Sequence, residues 1–246
     1  MYELDILVQG FPGKTATHGG LGWSTVALLR DGERTILVDT GPPAYIAVLH
    51  REFERLGISP ADVTHILATH LHWDHVGNFT MFPNAKVIVG RDEFDWTVAQ
   101  PPGTPLVADV HVRRLAEMPE QLVLVDEFDE ILPGVSGLLT PGHSPGHLSY
   151  RVATTSGEIL FAGDAVKNRY ELATAIVDST LDAAASRASV DRLRSIMDEN
   201  PTIVMIPGHD VRLGSVNGMV EALEPHVVQF SVFLDTETGE SPRVIT

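Results

Sequence analysis

The chain of 246 residues contains no cysteine, which excludes disulfides and thiolate ligands and leaves any transition metal to nitrogen and oxygen donors. Basic residues are scarce. Only 17 lysines and arginines stand against 33 aspartates and glutamates, for a formal net charge of −16. A field of that sign repels phosphate backbones and anionic membrane surfaces, and no Lys/Arg cluster relieves it, so neither nucleic acid nor membrane is expected as a partner. No apolar run approaches the length of a membrane span, and the N-terminus lacks a basic region followed by an apolar stretch. The expected compartment is therefore the cytoplasm. Otherwise the composition is ordinary for a globular protein, 43% hydrophobic and 20% charged. The length is read most simply as one domain over 1–246.

Against that background one stretch is chemically dense: Thr69-His70-Leu71-His72-Trp73-Asp74-His75. Three imidazoles and one carboxylate in seven residues are all first-choice metal ligands. The preceding run from Val63 to Ala68 reads as a buried strand. In an extended chain, side chains at i, i+2 and i+4 share one face, so His70, His72 and Asp74 would converge and His75 would point away. His75 joins them only if the backbone turns, and Gly77-Asn78 offers turn chemistry directly afterwards. The spacing does not fit the helical two-histidine zinc motif, because positions 70 and 72 lie on opposite sides of a helix.

The rest of the chain alternates strand and helix signals. Glu3 to Val8 reads as a strand, and Gly10 to Gly22 as a glycine-rich loop. Ser24 to Leu29 and Arg34 to Asp39 form a hairpin around Asp31-Gly32. Pro42-Pro43 open a helix with Ile46, Leu49, Phe53 and Leu56 at helical spacing, stopped by Gly57. Further helices are expected after Gly77, over Arg91 to Ala99, from Ser179 with Asp182 to Asn200-Pro201, and from about Ser215. Strands are expected at Lys86 to Val89, Leu122 to Val125, Gly137 to Thr140, Ser149 to Ala153, Glu158 to Ala162 and Thr202 to Ile206. The polar tail from Asp235 shows no element. Two mixed sheets packed face to face, with helices outside, fit this order.

Several apolar strands end in a polar residue, at Asp39, His70, His143, Asp164 and His209. Glycine stands just before Asp164, His143 and His209, where it lets the backbone turn sharply. Loops at the carboxyl ends of buried strands are where open α/β folds place their sites, so these residues are expected to share one.

The ordered blocks Val38-Asp39-Thr40-Gly41, His70-x-His72-x-Asp74-His75, Thr140-Pro141-Gly142-His143, Gly163-Asp164 and Pro207-Gly208-His209 resemble the metallo-β-lactamase superfamily. The resemblance implies an α/β fold, an αββα sandwich of two mixed β-sheets flanked by helices, with a two-metal site at one edge. It implies that His70, His72 and His143 hold one divalent ion, that Asp74, His75 and His209 hold a second, and that Asp164 bridges them. Zinc is the expected metal, with iron or manganese as alternatives. Seven ligands with one shared leave positions open for water and substrate. A metal-bridging hydroxide would then be the nucleophile. Asp39 is expected either to orient a ligand imidazole or to cap the following turn.

The blocks around His70 and Phe82-Pro83-Asn84-Ala85 resemble the small hydrolases that include N-acyl homoserine lactonases, and the compact layout is similar to metallo-β-lactamase domain-containing protein 1. Lactonases of this kind carry a tyrosine three residues after the bridging aspartate. Here that position is Lys167, and Tyr170 lies three further on. The expected activity is hydrolysis of a small ester, lactone or amide, with Asp74 and Lys167 as catalytic residues and Lys167 reaching the substrate as electrophile or anion anchor. The alternatives on the same fold are a mononuclear iron dioxygenase acting on a persulfide and, further off, a nuclease. A small-molecule substrate and a homodimer complete the expectation. His18 and Trp23 are placed at the cavity mouth, Trp73 in the packing beneath the loop, and His147 as a packed non-ligand. His50, His65, His111 and His226 are read as bystanders.

Overall fold

The computed structural model describes residues 1–17, 19–126, 128–226 and 228, with the side chains of Phe128 and Asp129 also set aside. His18 and the tail from Asp235 lie outside the described residues.

Two sheets face one another. The first runs, in spatial order, Glu3–Val8, Val26–Arg30, Thr35–Val38, His65–Leu67, Lys86–Gly90 and Leu122–Val125. Its first two pairings are antiparallel and the remaining three parallel. The second runs Met219–Ala222, Leu213–Val216, Val204–Pro207, Gly157–Gly163, Leu148–Thr154, Val135–Leu139 and Phe128–Leu132. Val204–Pro207 lies parallel to Gly157–Gly163, and the other neighbours are antiparallel.

The period-2 pattern explains the layering. Val26, Leu28, Leu37, Ile66, Val87 and Val89 pack outward against the helices Ile46–Leu56, Arg91–Val98 and Asp109–Ala116. Their neighbours Ala27, Leu29, Ile36, Val38, Leu67 and Ile88 point inward to meet Tyr150, Ile159, Phe161 and Ile206 of the second sheet. On that sheet's far side Leu160, Ala162 and Met205 pack against Val190, Leu193 and Met197 of the helix Ala183–Glu199. Strands buried on both faces need apolar residues at every position, which is why they read as continuous runs. The four layers are the αββα sandwich expected from the sequence.

Most elements fall where the residues place them, with informative exceptions. The helix expected from Ser215 is a hairpin, Leu213–Val216 with Met219–Ala222. Asn217 and Gly218 sit at φ +53 and +77, the left-handed pair that an Asn-Gly hairpin turn requires. The Asp31 turn spans four residues, and the Asp31 carboxylate closes it by accepting the Arg34 N–H at 2.7 Å. The helices Asp109–Ala116 and Arg169–Thr174 and the strand Phe128–Leu132 are additions to the elements expected from the sequence. No helix among the described residues is long and apolar enough to cross a membrane.

Candidate metal centre

The strand carrying the histidine motif ends at Leu67, and a one-turn helix, Trp73–Val76, begins inside the motif with His72 in extended backbone before it. The turn that brings His75 round therefore falls at His72 and not at Gly77-Asn78. That early turn moves Trp73 as well. Its side chain is 43% exposed on the cavity wall, not packed beneath the loop.

The structure brings all seven expected donors together. Ligand atoms of His70, His72 and His143 lie within 4.8 Å of one another, as do those of Asp74, His75 and His209 and those of His70, His75 and Asp164. Asp164 stands between the two histidine sets. Its Oδ2 is 3.4 Å from His143 Nε2, while its Oδ1 is 3.3 Å from His75 Nε2 and 3.2 Å from His209 Nε2.

The donor chemistry fits cations. His72 Nδ1 faces His70 Nε2 at 3.0 Å and His143 Nε2 at 2.9 Å. Three nitrogens aimed at one point cannot all satisfy one another by hydrogen bonds. Ligands about 2.0–2.1 Å from a tetrahedral metal stand roughly 3.3 Å apart, close to the spacing found. Burial, with the neighbouring rings of His75, His72 and His143, pushes His70 well below its ordinary range. Burial likewise lowers His72 to about 4 and pushes His143 well down, so these rings are neutral and able to ligate. In the second set burial acts the same way, but carboxylates outweigh it. Asp164, Asp74 and Asp39 hold His75 well above its ordinary value, and Asp164 and Asp74 raise His209. Burial would raise Asp164, yet the His209, His75 and His143 rings hold it well below the carboxylate range. Without a cation, protons gather where positive charge is called for. His75 Nε2 and Asp164 Oδ1 are buried without a hydrogen-bond partner among the described residues, as donors awaiting an ion would be.

Outside the donors, hydrogen bonds set the orientations. His75 Nδ1 donates to Asp39 Oδ2 at 2.7 Å, so Asp39 fixes the orientation of the His75 ring. His147 is a packed non-ligand: its Nε2 accepts the Asp164 N–H at 3.0 Å, and its Nδ1 lies 2.9 Å from the Thr140 hydroxyl. It serves Asp164, not His143.

A cavity of about 850 Å³ opens beside the donors, with Trp73, Leu106, Tyr170 and Ile176 on its wall. Lys167 is on that wall too, but its ammonium is held by Glu171 at 2.8 Å. Trp23 does not line the mouth; it packs on Phe11 and donates its indole N–H to the Gln9 carbonyl. His226 does reach the cavity wall, where its Nε2 lies 2.9 Å from the Gly10 carbonyl. His50, His65 and His111 join none of the donor groups. Sequence reading missed Glu93, Arg169 and Asp210. Arg169 grips Asp210, the neighbour of His209, through Nη2 and Nε at 2.6 and 2.9 Å. An Asp after a histidine carries no sign of a partner about forty positions away.

A four-layer sandwich whose strand ends pool histidines and aspartates beside a cavity defines a metal-binding hydrolase. The sequence model of the metallo-β-lactamase superfamily matches residues 19–209, and the chain belongs to that superfamily. It is similar to an N-acyl homoserine lactonase of Bacillus cereus, 30% identical over 213 residues covering 75% of this chain and 80% of that protein. It is also similar to metallo-β-lactamase domain-containing protein 1 of Mus musculus, 30% identical over 211 residues, 82% of this chain and 70% of that one. A crystal structure of a quorum-quenching N-acyl homoserine lactone lactonase aligns at a TM-score of 0.68 and 25% identity, covering 85% of this chain and 92% of the other.

Proposed function

We propose that this hydrolase cleaves a small ester, lactone or amide at a binuclear centre in which His70, His72 and His143 hold one divalent ion and Asp74, His75 and His209 the other. The observation that carries the reading is Asp164, whose two oxygens face the two histidine sets separately. Two ions bound there would supply an activated water and polarise the bond under attack. The protein's own contribution is to keep the first set neutral by burial and to aim His75 through Asp39. Trp73, Leu106 and Ile176 give the cavity an apolar wall beside the donors, suited to the uncharged body of an ester or lactone. The relatives named above favour a lactone within that class. Lys167, at the wall and charge-paired with Glu171, would polarise a carbonyl or hold an anionic group of the substrate.

Elemental analysis of the purified protein, with turnover measured on lactones, esters and a β-lactam, tests this. Two zincs with lactone or ester turnover is the expected result. One iron with oxygen uptake on a persulfide overturns it. Asp164→Asn is expected to weaken both ions, and unchanged stoichiometry in that variant refutes the bridge.

A further inference from the structure

Among the described residues, Glu93 is the one buried carboxylate at the site that neither belongs to a donor group nor pairs with a base. It lies in the first turn of the helix Arg91–Val98 and is fully buried. Arg91-Asp92-Glu93 reads in sequence as an ordinary acidic helix start, because acids suit that end of the dipole. The fold gives it a different task. Oε1 accepts the Leu71 N–H at 3.0 Å, and Oε2 accepts the Gly146 N–H at 3.2 Å. Leu71 lies between His70 and His72, and Gly146 follows His143 by three positions. One carboxylate therefore ties together the two loops that supply the whole first histidine set.

The surrounding backbone is built to allow this. A Cβ on Gly146 would lie 2.0 Å from the Glu93 nitrogen, and one on Gly90 would lie 2.3 Å from the Gly146 carbonyl oxygen. Neither position has room for a side chain, so the 143–146 loop and the start of the Glu93 helix meet backbone to backbone. The Leu71 peptide is held from its other side too, where its carbonyl accepts the Ala108 N–H at 3.2 Å. Burying a carboxylate costs several kcal/mol where nothing compensates it, and an apolar residue would fill the space without that cost. What an apolar residue cannot do is accept two N–H groups at once.

We infer that Glu93 is a positioning residue, clamping the 70–72 and 143–146 loops so that His70, His72 and His143 present their nitrogens at the spacing an ion needs. This rests on the proposed histidine set and gives that set its source of rigidity. Glu93→Gln keeps the size, but its amide group turns a donor toward one of the two N–H groups, leaving that one unpaired. Glu93→Asp is one methylene short of spanning both.

The test is chelator-competition titration of the full chain with Zn²⁺, run on wild type, Glu93→Gln, His72→Ala and His209→Ala, with melting of each apoprotein alongside. Glu93→Gln is expected to weaken the ion that His72→Ala removes by about 10- to 100-fold, and to leave the ion that His209→Ala removes within about threefold. If both ions keep wild-type affinity, or weaken equally with the apoprotein's stability, Glu93 is merely structural and the inference falls. If His72→Ala removes no ion, the histidine set itself is wrong and both readings fall together. Should Glu93→Gln fail to fold, hydrogen exchange on the wild type decides. The Leu71 and Gly146 amides are expected to be protected as strongly as strand amides, and loop-like exchange at either overturns the clamp.

Discussion

His75 donates its Nδ1–H to Oδ2 of Asp39 across 2.7 Å, with both side chains buried. The same carboxylate accepts the backbone N–H and the hydroxyl of Thr69, each at 2.8 Å. Asp39 reaches this position with φ +56, in the left-handed region that Asp and Asn tolerate better than most side chains. Asp39 thereby fixes the ring so that Nε2 faces Asp164 Oδ1 at 3.3 Å.

Asp39→Asn retains a residue suited to that backbone while removing the charge, which isolates the electrostatic and hydrogen-bonding role. Affinity for the ion proposed to sit between Asp74, His75 and His209 is expected to fall about 10- to 100-fold, with a stability loss of only about 1–2 kcal/mol. Chelator competition and urea unfolding of the same samples check the pair of values. Unchanged affinity would show that packing alone orients His75.

His147 should behave as a structural acceptor. Replacing it with Phe strands the Asp164 N–H, and the Thr140 hydroxyl loses its ring partner. The expected cost is about 2–4 kcal/mol by urea denaturation of the apoprotein. A loss under about 0.5 kcal/mol would mean the backbone at Gly163-Asp164 holds itself.

Lys167 and Glu171 form a buried pair at 2.8 Å, with side chains 11% and 3% exposed. Lys167→Ala leaves the buried Glu171 carboxylate with only the backbone N–H groups of positions 167 and 178, at 2.8 and 3.4 Å, and is expected to cost about 3 kcal/mol, part of it recovered in Lys167→Ala/Glu171→Gln. Turnover separates the roles. If Lys167 meets the substrate, kcat/KM stays depressed in the double variant although stability has partly returned. If activity returns as well, Lys167 is only Glu171's partner.

Glu158 gives a pH signature away from the site. Its carboxylate receives Arg151 Nε and Nη2 at 2.5 and 2.6 Å and Asn200 Nδ2 at 2.9 Å, and the Arg151 bond leads the effects that lower its pKa. A depressed folded-state value adds stability that is present above the unfolded pKa, about 4.3, and is lost as pH falls through the folded value. Glu158→Gln should therefore be about 0.5–1 kcal/mol less stable at neutral pH, the side chain being partly exposed, and should converge with wild type once the pH has fallen below the folded value. A gap that persists in acid would point to packing and not to charge.

Much of the fold was legible because two-sided burial leaves a mark on sequence. Val26 to Leu29 and Val87 to Val89 must be apolar at every step, since alternate side chains enter different cores. The Ile46–Leu56 helix was legible for its apolar stripe and for Gly57, which closes it at φ +67. The Leu213–Ala222 segment is a hairpin and not the expected helix because Asn217-Gly218 supplies the left-handed turn pair that reverses the chain. Trp73 was misplaced because the motif turns at His72, one residue before it, and local spacing does not say where a strand gives way to a helix.

By itself the sequence determined the donor inventory: no thiols, seven histidines and aspartates in four blocks that each follow a strand, and glycines where the chain must turn. Those follow from side-chain chemistry and from backbone freedom, which are local. Tertiary structure decided which ring nitrogens face one another, that Asp164 stands between the two sets, and that Glu93 accepts from both the Leu71 and the Gly146 amides. These depend on hydrogen bonds such as Asp39 to His75 and Glu93 to Gly146, which join residues 36 and 53 positions apart. A partner at that range is selected by the packing of two sheets, and no local pattern records it.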